Sequence, residues 1–113
     1  MNLQIEDKGA AVLLAIDEER LDAHNSGELK NQMLKLFEEG KNNLVVDLQA
    51  VRFVDSSGLG ALVSGFKNAS SRNGNLKLSG LQLQVKSMFE LTRLHRVFEI
   101  YADSAEALSS FQQ

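Results

Sequence analysis

A chain of 113 residues, 43% hydrophobic and 24% charged, has the size and composition of one globular domain and lies far from the disordered regime. Twelve Lys and Arg against fifteen Asp and Glu leave a formal charge of −3, which argues against nucleic acid or an anionic membrane as partner. The absence of cysteine and the presence of only two histidines, His24 and His95, argue against disulfides, iron–sulfur clusters and thiolate or His-motif metal sites, so neither a metal nor a cofactor is expected.

Leu3 and Ile5 alternate with polar neighbours, Asp7-Lys8-Gly9 supplies a turn, and the apolar run ending at Ile16 has strand length, so a hairpin opens the domain. The run is too short for a membrane span or a signal-peptide core, and a cytoplasmic protein is expected. Asp17 to Asp22 is a charged connector. Asn25 with Glu28 has the spacing of a capping box, Leu29, Met33, Leu36 and Phe37 recur at helical spacing, and Gly40 suits the helix end. Leu44 to Leu48 reads as a central strand. Past Val51 and Phe53, a second helix begins at or near Ser56, with Leu59, Leu62, Val63 and Phe66 as its apolar stripe. Leu76 to Leu78 predicts a strand, Val85 to Thr92 a third helix, Val97 to Tyr101 a last strand, and Asp103 with Glu106 a capped terminal helix. This alternation predicts a single α/β domain over residues 1–113, a mostly parallel or mixed sheet of four to five strands with about four helices.

The segment Asp55-Ser56-Ser57-Gly58-Leu59-Gly60 carries the most chemistry. At a helix N-terminus, unpaired N–H groups and the positive end of the dipole favour negative charge, and a phosphate on either serine would add about −1.5 to −2 charge there. Capping by Asp or Ser explains the same residues without any switch. Gly58, Ala61, Gly65 and Ala69 form a small-residue strip suited to close approach by a neighbouring helix or a partner protein. Catalysis is not expected: the Gly-x-Ser-x-Gly elbow, the P-loop ending and a dinucleotide fingerprint are all missing. A small-ligand sensor using the helix N-terminus for an anion or nucleotide is the alternative from a different class.

Asp47-Leu48, Val51, Phe53 and the Asp55–Gly60 run, with Leu21-Asp22-Ala23, Gly74, Val85, Phe89, Leu91 and Leu94, resemble the STAS domain of stand-alone bacterial anti-sigma factor antagonists. The resemblance implies partner switching. The unphosphorylated protein binds an anti-sigma factor that is also a GHKL-type serine kinase, phosphorylation ends the binding, and a PP2C-type phosphatase restores it. It places the phosphate on Ser57, with Ser56 as second choice, and the partner-binding surface on Asp22, Asp55, Ser56, Ser57, Gly58 and Leu59. A related output without a sigma factor, such as secretion or biofilm control, is compatible with the same residues. Two departures stand out: Glu19, before Arg20-Leu21-Asp22, where the family often has glycine before the Glu/Arg-Leu-Asp stretch, and no proline near the third helix.

Overall fold

The computed structural model describes residues 1–112. Alternation at the N-terminus gives β1 (Leu3–Asp7) and β2 (Val12–Ile16), paired antiparallel with Leu3 opposite Ile16. The turn between them is held by Asp7 Oδ1, which accepts the Gly9 N–H at 2.9 Å while Gly9 adopts φ +85°, a conformation open to glycine at no steric cost. A two-residue strand, β3 (Arg20–Leu21), precedes α1 (Ser26–Glu38), and β4 (Asn43–Asp47) follows. Next come β5 (Phe53–Val54), α2 (Ser56–Ser71), β6 (Asn75–Ser79) and α3 (Leu83–Leu91). A 3₁₀ turn over Leu94–Arg96, β7 (Ile100–Tyr101) and α4 (Ser104–Ser110) complete the chain.

The five-stranded sheet has the order β1-β2-β4-β6-β7, with every pair after the hairpin parallel. Successive crossovers step in one direction, which puts their helices on one face. The main core accordingly joins Leu14, Leu44, Val46, Leu76 and Leu78 of the sheet to Leu29 and Met33 of α1, Leu62 of α2 and Phe89 of α3. Strand alternation sends Val45 to the other face, where it meets Ala11 and Ala107 of α4. The expected α/β class and mixed sheet are what the chain adopts.

The small-residue strip of α2 is buried within this chain, against β3 and β5 at Gly58 and against α1 and β6 at Gly65. A Cβ on Gly65 would lie 2.7 Å from Met33 Sδ and 2.8 Å from Leu76 Cδ1. Three sequence expectations change. The capping box at α1 does not form, because the Asn25 side chain is used elsewhere and Glu28 Oε2 accepts from the N-terminal ammonium at 2.8 Å. The last strand is Ile100–Tyr101 only, since the 3₁₀ turn over Leu94–Arg96 continues into Val97 and Phe98, whose N–H groups donate to the Leu94 carbonyl at 2.9 and 3.1 Å. The Asp17–Asp22 connector contains β3.

Candidate functional site

β3 and β5 form a small parallel sheet of their own, pairing Arg20 with Phe53 and Leu21 with Val54. Leu21 and Val54 are buried in the core, while the Arg20 guanidinium lies 4.2 Å from the centroid of the half-exposed Phe53 ring. The Glu19 carbonyl accepts from the N–H groups of Arg52 at 2.8 Å and Phe53 at 3.2 Å, and the Leu21 carbonyl from Asp55 N–H at 3.2 Å. The ribbon therefore brings the Asp22 loop to the start of α2, the proximity that sequence could only conjecture.

Asp55 fastens the two together. It caps α2 from extended backbone, its Oδ1 accepting the Gly58 N–H at 2.9 Å, and its Oδ2 accepts the Ala23 N–H at 3.3 Å. One carboxylate thus satisfies an orphan donor of the helix and one of the neighbouring loop. Asp22 is ordered in the same way: its Oδ1 accepts from His24 N–H at 3.0 Å, and Arg20 Nε reaches its Oδ2 at 3.4 Å. Asn25 closes the loop instead of capping α1, accepting the Asp22 N–H at 2.9 Å through Oδ1 and donating Nδ2–H to the Arg20 carbonyl at 2.8 Å.

Gly58 is buried where α2 crosses this ribbon. A Cβ there would overlap the Leu21 carbonyl oxygen and sit 2.8 Å from Val54 Cγ1, so only glycine lets the helix start so close to β3. Leu59 is half-buried against the core. Ser56 and Ser57, the first two residues of the helix, are exposed. Of the six residues named from sequence, the serines face solvent, the two aspartates frame them, and Gly58 and Leu59 anchor the turn from beneath. Among the described residues, no hydrogen bond links either serine to His24 or His95; His95 Nδ1 lies 3.3 Å from the Phe89 carbonyl instead. Sequence reasoning missed the ribbon and Asn25's place in it, because two-residue strands carry no periodicity.

With this geometry established, comparison with known proteins is decisive. The STAS domain model matches residues 2–107. The chain belongs to the STAS domain family. Among STAS relatives, the anti-sigma F factor antagonist of Paenibacillus polymyxa is 27% identical over 114 residues, covering 99% of this chain and 97% of that one. The anti-sigma-B factor antagonist of Bacillus subtilis is 32% identical over 84 residues, covering 74% of this chain and 76% of its own. The fold is also that of an anti-sigma factor antagonist from Mycobacterium paratuberculosis, with TM-score 0.88, 20% identity and coverage of 99% and 94%. The antagonist SpoIIAA in its unphosphorylated form superposes with TM-score 0.84 at 18% identity, covering 98% of this chain and 96% of that one. Among the described residues, no helix of this STAS domain is long and apolar enough to cross a membrane.

Proposed function

We propose that this STAS protein is a cytoplasmic anti-sigma factor antagonist. In its unmodified form it docks on a GHKL-type anti-sigma factor kinase through the surface around Asp22, Asp55, Ser56 and Ser57, and phosphorylation at Ser57, or at Ser56 directly before it, releases it. A PP2C-type phosphatase reverses the modification, and the chain itself performs no catalysis.

The observation that carries this reading is the Asp55 carboxylate. It holds an exposed pair of serines at a helix N-terminus against a second, acidic loop. A helix N-terminus alone would welcome a phosphate. Here the Gly58 N–H already serves Asp55, and Asp22 stands on the adjoining loop. An added phosphate of about −1.5 to −2 charge meets like charge and keeps its oxygens toward solvent, where a docked partner would have to desolvate them. A differential affinity of about 1.4 kcal/mol is already tenfold in binding.

The test is a pull-down from source cells with wild type, Ser57→Ala and Ser57→Asp as baits, alongside Ser56→Ala and Ser56→Asp, with phosphosite mapping by mass spectrometry. Recovery of one kinase by wild type and both alanine variants, its loss with one aspartate variant, and phosphate mapped to that serine are expected. Identical prey for every bait, with neither serine ever modified, would overturn the reading.

A further inference from the structure

α2 closes over Arg72-Asn73-Gly74 before β6 begins at Asn75. The Gly74 N–H donates to the Ala69 carbonyl at 2.8 Å and the Asn73 N–H to the Ser70 carbonyl at 3.1 Å, the pair of bonds that ends a helix through a left-handed residue. That residue is Asn73, at φ +64°, a conformation asparagine tolerates better than most side chains do. Position 74 has no alternative to glycine, because a Cβ there would overlap the Asn42 carbonyl oxygen. The fold thus favours the first residue of this pair and requires the second. Asn73 is exposed, and it alone among the asparagines precedes a glycine.

Asparagine before glycine is the arrangement in which the backbone most readily attacks its own side chain, since no Cβ shields the following nitrogen. The Gly74 nitrogen gives its proton to solvent hydroxide and bonds to Asn73 Cγ, the bond from Cγ to Nδ2 breaks, and the side-chain nitrogen leaves as ammonia. Water then opens the succinimide at one of its two carbonyls, leaving aspartate, or isoaspartate with the main chain routed through Cγ. One water enters and one ammonia departs, with no oxidation or reduction. In the folded chain the Gly74 N–H is held by the Ala69 carbonyl, so the attacking nitrogen is released only when the cap opens. Two further bonds keep the cap shut. Arg72 Nη1 donates to the Phe37 carbonyl at 3.1 Å, and the Arg72 carbonyl accepts from Asn42 Nδ2 at 3.3 Å, which fastens the cap to the end of α1 and to the connection into β4.

We infer that Asn73 is a self-modification site, converted to isoaspartate and aspartate at a rate gated by opening of the α2 C-terminal cap. Both products place a carboxylate at the negative end of the helix dipole, where the last turn of α2 has no basic residue to offset it. Isoaspartate also adds a carbon to the main chain between α2 and β6, so the modified cap closes less well than the original. The site shares no residue with the Ser56–Ser57 surface and stands whether or not that surface is a phosphoswitch.

The experiment incubates the full chain at mildly alkaline pH, folded and in concentrated urea. Mass spectrometry of digests follows position 73, and an isoaspartyl methyltransferase distinguishes isoaspartate from aspartate. Conversion is expected in both conditions, about tenfold or more slower in the folded chain because a local opening must first free the Gly74 N–H. Hydrogen exchange at Gly74 needs the same opening. Arg72→Ala, at an exposed position, unties the cap and should speed exchange and conversion in the folded chain by the same factor, with the rate in urea unchanged. Asn73→Gly, which suits the left-handed conformation, should fold and lose the methyltransferase signal. No conversion at Asn73 in either condition, equal rates folded and in urea, or an unmoved conversion rate in folded Arg72→Ala would each overturn the proposal.

Discussion

At the scale of single residues, two glycines two positions apart in α2 do opposite things. A side chain at Gly58 would run into the Leu21 carbonyl and Val54, whereas nothing lies within 4 Å of the Cβ position at Gly60. Backbone cannot yield as a side-chain tip can, so Gly58→Ala is expected to cost about 1–3 kcal/mol, the range of overpacked sites. It also pushes β3 away from α2 and loosens the Ala23–Asp55 bond. Gly60→Ala should instead stabilise by up to about 1 kcal/mol through helix propensity alone. Urea unfolding of the two variants measures both, and a Gly58→Ala midpoint at or above that of wild type would show that the close crossing does not constrain the site.

At the scale of elements, what was legible in the sequence was what repeats. The apolar spacing of Leu29, Met33, Leu36 and Phe37 and the mostly apolar run from Leu44 to Leu48 announced α1 and β4, because hydrophobic patterning reports burial directly. The Asp55–Gly60 run announced the start of α2 for a likewise local reason, an N-cap followed by a helix. What was not legible depended on contacts distant in sequence: β3 exists only because Leu21 pairs with Val54, and Asn25 serves the Asp22 loop although its spacing to Glu28 suggested a cap. The small-residue strip was visible, but its neighbour was not. At Gly65 that neighbour is α1 together with β6, and a Cβ there would crowd the flexible ends of Met33 and Leu76. Gly65→Val is therefore expected to cost about 1–3 kcal/mol by overpacking. Pairing it with Met33→Ala should recover part of that loss, because the two volumes compensate. A double-mutant cycle gives the coupling, and strictly additive effects would mean that the two residues do not share the gap.

At the scale of the whole molecule, charged contacts at the ends of the sheet add to the strand pairing and the shared core. Lys41 at the entry to β4 reaches Asp7 at the hairpin turn at 3.0 Å. Glu99, just before β7, accepts from the Tyr101 hydroxyl at 2.7 Å and from Asn75 Nδ2 at 3.2 Å, with Lys77 Nζ at 3.6 Å. The Tyr101 hydroxyl foremost, with Lys77 and Asn75, holds the Glu99 carboxyl below its ordinary value, and the Gly9 N–H and Lys41 do the same for Asp7. Because both folded-state values are depressed, the ionised forms favour the native state. Their contribution is complete above the usual carboxylate range of about 4, and it disappears as pH falls through the lower folded-state values. Both groups are largely exposed, so each contribution is small and screened by salt. Glu99→Gln should therefore lower the urea midpoint slightly at pH 7, less so in high salt, and the gap from wild type should close on acidification. Lys77 would then keep its bond to Ser110 Oγ at 2.7 Å and its place 4.1 Å from the Phe111 ring centroid, so α4 should stay docked while the β7 edge loosens. Hydrogen exchange separates the two: faster exchange at Tyr101 with unchanged protection at Ala107 is the expected pattern, and equal loosening of both would mean that Glu99 holds α4 as well as the sheet edge.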